Sequence, residues 1–372
     1  MLRIIMTGGG TAGHINPALA IAAKMRREDP DCEILFVGAK GRMETELVPA
    51  AGYKIETIDV RGFQRHITVK NIGRDFAAAY HAVTAGLEAG RIIKEFGPDI
   101  AIGTGGYVCG PVLRKAHKMG VPIAVHESNA YPGVTVKMLA GYADAVMIPE
   151  ESARKYLPAD ARVTVTGNPL RADFLKYDGQ TARKELGLDS RPLILSMGGS
   201  LGAERINAVM ADIIIKSYRD KGFQHIHATG KRGYAAMAEK LRGNGVPLDG
   251  DGIRVRNYIT DMPRCMAAAD VVITRSGAMT LSELPAMGKP GILIPSPNVA
   301  ENHQYYNAMA LVNKGAALCI EEKDLSDLTV WRALEQMMAP GVRGKMGAAA
   351  KSLAILDADN RIYQVVMGVL DI

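Results

Sequence analysis

Short apolar runs alternate with longer helical patterns along the whole chain. The first half contains LRIIMT, EILFVG, DIAIGT, PIAVHE, AVMI and VTVTG, and the second contains PLILSMGG, HIHATG, IRVRNY, VVITRSG and GILIPS. Apolar strands without polar alternation, separated by helices, are typical of parallel sheets that helices cover on both faces. The pattern therefore predicts an α/β fold with one doubly wound, Rossmann-like domain in each half.

A stretch rich in proline, glycine and charged residues, GNPLRADFLKYDGQTARKELGLDSRP, lies between the two halves. This composition is typical of a linker. We place the domain boundary near Pro169, which predicts an N-terminal domain over residues 1–168 and a C-terminal domain over residues 169–356. A last helix is expected at about Asn360 to Met367, and the pattern does not indicate on which domain it packs.

Composition narrows the class of protein. With 372 residues, of which 48% are hydrophobic, the chain can bury a sizeable core in two domains. No uncharged stretch approaches the ~18 consecutive apolar residues of a membrane-spanning helix, and the first residues lack a secretory signal pattern. We therefore expect a cytoplasmic location. The cysteines are far apart, which predicts buried free thiols rather than disulfides or a zinc site: Cys32, Cys109, Cys265 and Cys319.

The charge balance indicates an anionic partner. The net charge is +6 and the pI is near 9.0, which fits nucleotide phosphates, nucleic acid or an anionic membrane surface. Nucleic-acid binding is disfavoured because no aromatic and basic stripe is present. Between residues 60 and 120, basic and apolar residues interleave, which favours peripheral docking on anionic lipid; a solvated basic surface is the alternative. These residues are Arg61, Arg65, Lys70, Arg74, Arg91, Lys94, Arg114, Lys115 and Lys118, with Phe63, Ile67, Val69, Ile72 and Phe76.

A glycine-rich loop follows the first apolar strand. Gly8, Gly10 and Gly13 satisfy G-x-G-x-x-G, the fingerprint of dinucleotide-binding folds. Such a site also needs an acidic residue at the end of the second strand, whereas EILFVGAKG has Glu33 at its start and Gly38 near its end. A nicotinamide cofactor is therefore disfavoured.

Two similar loops follow later strands, GTGGYVCGP over residues 103–111 and GGSLGAERIN over residues 198–207. Glycines let a phosphate or sugar approach the backbone, and the N-terminus of the next helix attracts anions. We expect the first such helix to begin near Asn16. One loop of this kind can be a turn without a ligand, but three of them over two domains favour a cleft that holds phosphates from both sides.

His14 stands directly behind the first glycine loop. The carboxyl end of a strand in an open α/β sheet is where ligands bind. A neutral imidazole there can accept a proton near pH 7. We interpret His14 as a general base; the alternative is a helix-start histidine that bonds only to backbone.

In the second half, TRSGAMTLSELPAMGKP runs from a strand end into a helix. Ser276, Gly277 and Ala278 are expected to present backbone N–H groups at the start of that helix. Glu283, about one turn later, can accept hydrogen bonds from the two hydroxyls of a ribose. The alternative is a surface glutamate that only complements the helix dipole.

His303 and Gln304 are expected at the start of another helix, after the strand GILIP. Their donor and acceptor groups suit the hydroxyls of a sugar. The alternative is a capping cluster with Asn302.

Seven motifs, in this order over most of the chain, resemble those of the MurG family of peptidoglycan UDP-GlcNAc:lipid I N-acetylglucosaminyltransferases: TGGGTAGHINPALA, GTGGYVCGP, HESNAYPG, TGNPLR, GGSLGAERIN, TRSGAMTLSE and NHQYYNA. The resemblance implies a GT-B fold, in which two Rossmann-like domains face each other across a cleft. It implies that the last helix, about 357–372, packs back on the first domain. It also implies inverting transfer of GlcNAc from UDP-GlcNAc to the MurNAc C4 hydroxyl of lipid I, giving lipid II and UDP, at the cytoplasmic face of the cell membrane.

The resemblance further implies which residues bind UDP-GlcNAc, mostly in the second domain. Glu283 would hold the ribose, the backbone of Ile259 the uracil, and Gln304 the GlcNAc hydroxyls. Arg171 would lie near the phosphates. The other donor-binding residues would be Ser200 with its neighbouring loop amides, Ala278, Thr11, Gly13 and Asn129, the last near the reacting sugars.

In the first domain, the resemblance implies an acceptor site with His14 as the base. The lipid diphosphate would lie against the first two glycine loops, at Gly9, Gly10, Gly105, Gly106 and Tyr107. Two positions depart from the family pattern. Ala12 stands where a glycine is usual, and His303 stands where many relatives carry glutamine.

An α-linked donor that gives a β-linked product needs one in-line displacement, with one base and no covalent carboxylate nucleophile. No D-x-D motif lies at a strand end, so we expect no required metal and no other cofactor; N–H donors and Arg171 would stabilise the leaving UDP. Three alternatives stay open. They are a UDP-sugar diacylglycerol glycosyltransferase, a UDP-GlcNAc 2-epimerase, whose acidic catalytic residues cannot be assigned, and a nucleotide-binding module without turnover.

Overall fold

The computed structural model of the chain describes residues 1–60, 72–199 and 201–371, and side chains in the helix after residue 71 are described from residue 84 onward. The expected pyrophosphate ligand Ser200 therefore lies outside the described residues. The same holds for part of the expected membrane surface: Arg61, Phe63, Arg65, Ile67, Val69 and Lys70, and the side chains of Ile72, Arg74 and Phe76. The chain forms two compact units, Met1–Pro169 with Asp357–Ile372, and Leu170–Leu356.

Unit 1 is built on a parallel sheet of seven strands in the order β3-β2-β1-β4-β5-β6-β7. Helices connect successive strands, as the sequence pattern predicts for a doubly wound sheet. The strands are β1 (Arg3–Thr7), β2 (Glu33–Ala39), β3 (Lys54–Ile58), β4 (Ile100–Gly103), β5 (Ile123–His126), β6 (Ala145–Ile148) and β7 (Val163–Val165). The helices are α1 (Ala12–Glu28), α2 (Glu44–Ala50), α3 (Ile72–Phe96), α4 (Cys109–Lys118) and α5 (Val134–Ala140).

Unit 2 repeats the architecture with seven strands in the order β10-β11-β9-β8-β12-β13-β14, of which only β10 is antiparallel to its neighbour. The strands are β8 (Leu193–Met197), β9 (Gln224–Ala228), β10 (Asp249–Gly250), β11 (Ile253–Arg256), β12 (Val271–Thr274), β13 (Gly291–Leu293) and β14 (Ala317–Cys319). The helices are α6 (Gly179–Glu185), α7 (Glu204–Asp220), α8 (Tyr234–Gly243), α9 (Met262–Ala268), α10 (Thr280–Met287), α11 (His303–Val312), α12 (Asp327–Met338) and α13 (Val342–Ser352). The predicted α/β fold class with two Rossmann-like domains is confirmed.

The central strands are buried on both faces, which explains their continuous apolar sequences. Ile4, Ile5 and Met6 in β1 are each 0% exposed. Ile4 and Met6 belong to the hydrophobic cluster that includes α1, whereas Ile5 belongs to the cluster formed with α3 and α4.

The last helix, α14 (Ala358–Val369), belongs to unit 1 and packs against α1. Ile362 and Val366 enter the cluster that contains Met6, and both are almost fully buried. An ion pair between Arg27 and Asp359, 2.8 Å apart, lies at the edge of this contact. The C-terminal segment of the chain therefore completes the hydrophobic core of unit 1.

Strand register brings the glycine loops together within each unit. Thr7 at the end of β1 pairs with Gly103 at the end of β4, so the first two glycine loops leave the sheet side by side. In unit 2, Thr274 at the end of β12 pairs with Met197 of β8 and with Leu293 of β13. The residues that follow these three strands consequently lie at one edge of the sheet.

Among the residues that the structure describes, no helix combines the length and the apolar character needed to cross a membrane.

Candidate active site

Helix α1 begins at Ala12, four residues earlier than the start expected near Asn16. Thr11 is its N-cap residue, and its side chain makes no capping hydrogen bond. His14 is therefore part of the first helical turn rather than of the loop before the helix. Its side chain is half-buried at the carboxyl end of β1.

The first two glycine loops touch through their backbones. Gly9 N donates to Gly105 O at 3.3 Å. A Cβ on Gly106 would lie 2.3 Å from Gly9 O, and a Cβ on Gly105 would lie 2.8 Å from the Cδ2 atom of the His14 ring. Both Gly105 (φ +105°) and Gly106 (φ +88°) have backbone conformations that favour glycine. These glycines make room for the imidazole and for the close approach of the loops.

The position of His14 fixes the hydrogen-bonding role of its ring. Nδ1 lies 3.1 Å from Gly9 O and 3.3 Å from the hydroxyl of Thr11. A carbonyl oxygen can only accept, so Nδ1 carries the proton in the neutral ring and donates to Gly9. Nε2 is left with its lone pair.

The backbone amides of Gly9 and Gly10 in the first loop are hydrogen-bonded within the protein. Gly9 N donates to the second loop, and Gly10 N donates to the Oε2 atom of Glu44 at 3.0 Å. Glu44 is fully buried at the start of α2. The sequence analysis did not identify Glu44, because nothing in GRMETELVPA distinguishes it from the exposed Glu46.

Cys109 connects the ends of β1 and β4. It opens α4, so Cys109, Gly110 and Pro111 form a helical turn rather than the end of the expected loop. Its sulfur lies 3.1 Å from Thr7 O and 3.0 Å from Gly105 O. Burial raises the pKa of the Cys109 thiol to about 11, so it stays a protonated hydrogen-bond donor. It is a buried free thiol, as predicted, and so are Cys32 and Cys265; Cys319 is also free but only half-buried, so the prediction of burial is wrong there.

Asn129 follows β5, the neighbour of β4 in the sheet, and Glu127 fixes its position. Glu127 Oε1 accepts from the backbone N of Asn129 at 2.8 Å and from its side-chain Nδ2 at 2.9 Å. Oε2 of the same residue accepts from Gly133 N at 2.8 Å. Tyr107, after β4, is 55% exposed. The unit 1 residues assigned from the motifs thus gather at the carboxyl edge of one sheet.

The third glycine loop, in unit 2, packs on the turn after β9. A Cβ on Gly202 (φ +82°) would lie 2.1 Å from Thr229 O, and a Cβ on Gly230 (φ +74°) would lie 2.3 Å from Gly202 N. Glycine is required at this crossing. Helix α7 starts directly after the loop, and its N-cap Ala203 offers no side-chain cap.

A network of buried polar side chains supports the third glycine loop and the turn after β9. Asn207 on α7 donates from Nδ2 to Thr229 O at 2.8 Å, and its Oδ1 accepts from His227 Nε2 at 3.1 Å. Ser196 completes the network with its hydroxyl 2.8 Å from His227 Nδ1. Burial lowers the pKa of His227 to about 3, so the ring is neutral and each polar atom of the network is used. These residues were not singled out from the sequence.

Glu283 lies in the first turn of α10, which begins at Thr280; Ser276, Gly277 and Ala278 lie just before the helix. Burial raises the pKa of Glu283 to about 7, and the nearby Arg171 guanidinium opposes that increase. Arg171 forms a two-pronged ion pair with Asp173.

Gln304 and His303 start α11, after β13. Gln304 Oε1 accepts from Ser296 N at 2.9 Å, which leaves its amide NH₂ directed elsewhere. His303 Nδ1 lies 2.8 Å from Ala300 O. Asn302 makes no side-chain capping bond, so the capping-cluster alternative is not observed. Asn302 (φ +53°) and the preceding Glu301 (φ +50°) both adopt left-handed conformations, which are costly outside glycine.

Ile259 follows β11, and its side chain is 5% exposed within the core of unit 2. Four residues expected to bind the donor follow strands of unit 2 and so share the carboxyl edge of that sheet: Ile259, Ala278, Glu283 and Gln304. Arg171 precedes the first strand of unit 2 and lies near Glu283, and Ser200 is not described. Among the described residues, no group of three or more His, Cys, Asp or Glu side chains is placed to hold a metal ion.

Models of two domain families match this chain. The glycosyltransferase family 28 N-terminal domain matches residues 4–148, and the glycosyltransferase family 28 C-terminal domain matches residues 193–362. A protein of Acetivibrio thermocellus is 43% identical over 372 residues, which cover 99% of this chain and 98% of the relative. The chain belongs to glycosyltransferase family 28. The family relationship confirms that it is a glycosyltransferase.

Other family 28 relatives match the chain from end to end. A protein of Caldanaerobacter subterraneus subsp. tengcongensis is 42% identical over 367 residues, which cover 98% of this chain and 99% of the relative. Both relatives carry the name UDP-N-acetylglucosamine--N-acetylmuramyl-(pentapeptide) pyrophosphoryl-undecaprenol N-acetylglucosamine transferase. The resemblance to the MurG family is thereby confirmed.

Solved structures show that the fold is shared more widely than the family 28 sequence. MurG of Acinetobacter baumannii has a TM-score of 0.81 at 24% identity, over 99% of this chain and 100% of its own. MnaA of S. aureus, solved with UDP, has a TM-score of 0.68 at 14% identity, and the match covers 100% of this chain and 97% of MnaA. The calicheamicin glycosyltransferase CalG4 has a TM-score of 0.69 at 15% identity, and the match covers 100% of this chain and 99% of CalG4. These likenesses confirm the GT-B fold class.

Proposed function

We propose that the chain transfers GlcNAc, with inversion, from UDP-GlcNAc to the MurNAc C4 hydroxyl of lipid I, forming lipid II for peptidoglycan. The observation that carries this conclusion is the end-to-end match to relatives named for this transfer, at 43% and 42% identity. The geometry agrees, because the motif residues gather at the carboxyl edges of both sheets, where open α/β folds bind ligands.

His14 is the proposed base. Its Nδ1–H is bonded to Gly9 O, so the Nε2 lone pair is available to the acceptor hydroxyl. In the reaction, Nε2 takes the C4 hydroxyl proton while that oxygen bonds to C1 of GlcNAc. The bond from C1 to the phosphate oxygen breaks, and its electron pair leaves with UDP. One proton acceptor and one displacement account for an inverted product.

The acceptor diphosphate is proposed to lie against the first two glycine loops. Because the amides of Gly9 and Gly10 are already bonded, the uncapped first turn of α1 supplies the N–H donors in this proposal. Gly105 and Gly106 hold the second loop against His14 and the first loop, and the exposed Tyr107 offers a ring beside them.

The donor is proposed to bind in unit 2. The uncapped N-terminus of α7, with the Ser200 loop, faces the pyrophosphate, and Glu283 accepts hydrogen bonds from the ribose hydroxyls. The backbone of Ile259 contacts uracil, and Gln304 donates its NH₂ to a GlcNAc hydroxyl. The remaining donor-binding assignments that the resemblance implies are Ala278, Thr11, Gly13 and Asn129.

We propose that no metal is required for departure of UDP. Arg171 and backbone N–H donors compensate the developing charge, each well-placed donor contributing on the order of 3 kcal/mol to the transition state. The ion pair with Asp173 uses Nε and Nη2 of Arg171, so Nη1 donates to the phosphate in this proposal. Turnover that persists in EDTA would support this assignment.

Peripheral docking on an anionic membrane is proposed for the face formed by α3 and α4, which pack together. Arg91 and Lys94 on α3 are exposed, as are Arg114 and Lys118, one turn apart on α4. Lys115 is half-buried, because its chain crosses α3 at Gly90, where a Cβ would lie 2.4 Å from its Cε atom. The exposed apolar side chains Leu87 (65%) and Met119 (39%) lie on the same two segments.

The proposed reaction is tested with UDP-GlcNAc and a panel of acceptors. We expect UDP release to depend on a short-chain lipid I analogue, and the product to gain the mass of one GlcNAc. Release that responds instead to diacylglycerol would assign the chain to glycolipid synthesis. Release that needs no acceptor would favour an epimerase-like activity, and no release at all would leave a nucleotide-binding module.

A further inference from the structure

A buried carboxylate lies beneath the first glycine loop, and the roles proposed above leave it unused. Glu44 is 0% exposed. Its Oε1 accepts from Ala39 N and its Oε2 from Gly10 N, each at 3.0 Å. Within the described part of the chain, no lysine or arginine forms an ion pair with it. A buried carboxylate is costly to maintain on two backbone hydrogen bonds alone.

One peptide group connects this carboxylate to His14. The N–H of Gly10 and the C=O of Gly9 belong to the same planar peptide and point in opposite directions. The N–H donates to Glu44 Oε2 at 3.0 Å, and the C=O lies 3.1 Å from His14 Nδ1. The atoms therefore form a continuous chain from the carboxylate, through one peptide group, to the imidazole.

The surrounding glycines fit this arrangement closely. A Cβ on Gly9 would lie 2.1 Å from Glu44 Oε1, and a Cβ on Gly38 would lie 2.7 Å from Glu44 Cγ. Gly10 has φ +82°, a conformation that favours glycine. Strand β2 and the first glycine loop are thus shaped around the carboxylate.

We propose that Glu44 is a positioning residue for His14 and acts through the peptide group between Gly9 and Gly10. The inference rests on the proposed role of His14 as the base. The carboxylate fixes the orientation of the peptide, and the peptide carbonyl then holds the proton on Nδ1 and keeps Nε2 free. Hydrogen-bonded chains also polarise one another, so the negative end favours the positive charge that His14 gains when it takes a proton. The arrangement has the logic of a base oriented by a third group.

The direct test is the tautomer of His14, read from the ¹⁵N chemical shifts of the ring in histidine-labelled protein above the titration range. The chain has eight histidines, and the His14→Gln spectrum identifies the signal. The native protein is expected to show a protonated Nδ1 and an unprotonated Nε2. In Glu44→Gln, one oxygen becomes an NH₂ group that cannot accept from a backbone N–H, so the population with the proton on Nε2 is expected to rise.

Turnover provides a second reading of the same variant. We expect kcat of Glu44→Gln to fall about tenfold, a part of the roughly 10²- to 10⁴-fold that a positioned general base supplies. The KM for UDP-GlcNAc is expected to stay within about twofold, because the donor residues are unchanged. A role confined to holding the loop would lower stability without moving the tautomer.

Two control variants distinguish a role of Glu44 in positioning His14 from a role confined to holding the loop. Glu46→Gln makes the same chemical change on the same helix at an exposed position and should change neither the tautomer nor kcat. Glu127→Gln removes a buried carboxylate that also accepts backbone N–H groups, and it should lower the melting temperature while the His14 tautomer stays native.

The proposal is overturned if native His14 carries its proton on Nε2, or if folded Glu44→Gln keeps the native tautomer and kcat. If Glu44→Gln does not fold, Glu44→Asp replaces it, because its shorter carboxylate cannot reach both amides and the same tautomer shift is expected. Absence of lipid I-dependent UDP release in the native protein would refute the proposed function instead, and the tautomer would still report on the connection between Glu44 and His14.

Discussion

Single glycines decide whether the two loops of unit 1 can meet. At Gly106, φ is +88° and a Cβ would lie 2.3 Å from Gly9 O, a backbone atom that cannot rotate away. At Gly344 in α13, the space beyond the Cα atom is open and φ is ordinary for a helix. The same added methyl group therefore has opposite consequences at the two positions.

Gly106→Ala is expected to lower the free energy of unfolding by about 1–3 kcal/mol, through a left-handed residue and a forced shift of the first loop. It should also reduce turnover, because the shift moves the peptide that holds His14. Gly344→Ala should instead raise stability by about 0.5–1 kcal/mol. Thermal melts and UDP-release rates measure both effects; a Gly106→Ala protein with native stability and rate would contradict the loop contact.

Glu283 should make donor binding depend on pH near neutrality, since burial raises the pKa of its carboxyl group to about 7. The deprotonated form accepts from both ribose hydroxyls, and protonation removes one acceptor. The Kd for UDP should therefore rise as the pH falls through this pKa, by about three- to tenfold, the difference between charged and neutral hydrogen bonds. Calorimetric titration at about pH 8 and about pH 6, with Glu283→Gln as the pH-insensitive control, checks this. An equal pH dependence in the variant would assign it to another group.

The sequence analysis identified the residues that follow strands and begin helices, and it missed the buried polar residues that support the loops. His14, Glu283 and Gln304 follow apolar strands, so their placement at the sheet edge could be predicted. Glu44 and His227 depend on contacts between segments far apart in the chain. Their local sequences carry no signal of burial, and only the folded structure shows it.

At the level of elements, the central strands and the edge strand β7 could be predicted, whereas the edge strands β3, β10 and β14 could not. β3 (Lys54–Ile58) alternates in exposure, and β14 (Ala317–Cys319) has only three residues, so neither shows the continuous apolar run of a strand covered on both faces. Helix α1 starts at Ala12, before the start expected near Asn16, although proline is usual in the first turn of a helix. The helix instead includes Pro17 and forgoes the bond that its missing N–H would give to Gly13.

Helix α14 illustrates how one element stabilises a unit from the far end of the chain. Ile362 is 1% exposed against the β1 face, so Ile362→Ala should lower the free energy of unfolding by about 2–5 kcal/mol through lost burial and a cavity. Arg27→Gln breaks only the exposed ion pair with Asp359 and should cost no more than about 1 kcal/mol. Denaturant unfolding compares the two variants. Similar small losses would mean that α14 contributes little to the core.

At the scale of the whole molecule, the positive charge is expected to direct the chain to an anionic surface. Arg114→Glu combined with Lys118→Glu should weaken binding to phosphatidylglycerol vesicles by about tenfold or more, at ~1 kcal/mol for each basic residue near the surface. Lys314→Glu combined with Lys345→Glu changes the net charge equally on unit 2, at exposed positions. Cosedimentation should show little loss for that control. Equal losses would point to net charge rather than to the α3 and α4 face.

The most direct test of the account is a comparison of native protein and His14→Ala in UDP release with UDP-GlcNAc and a lipid I analogue. His117→Ala, an exposed histidine on α4, serves as the matched control. The account predicts that kcat of His14→Ala falls by roughly 10²- to 10⁴-fold, that UDP still binds, and that His117→Ala keeps the native rate. A His14→Ala protein that turns over at the native rate would contradict the assignment of His14 as the base.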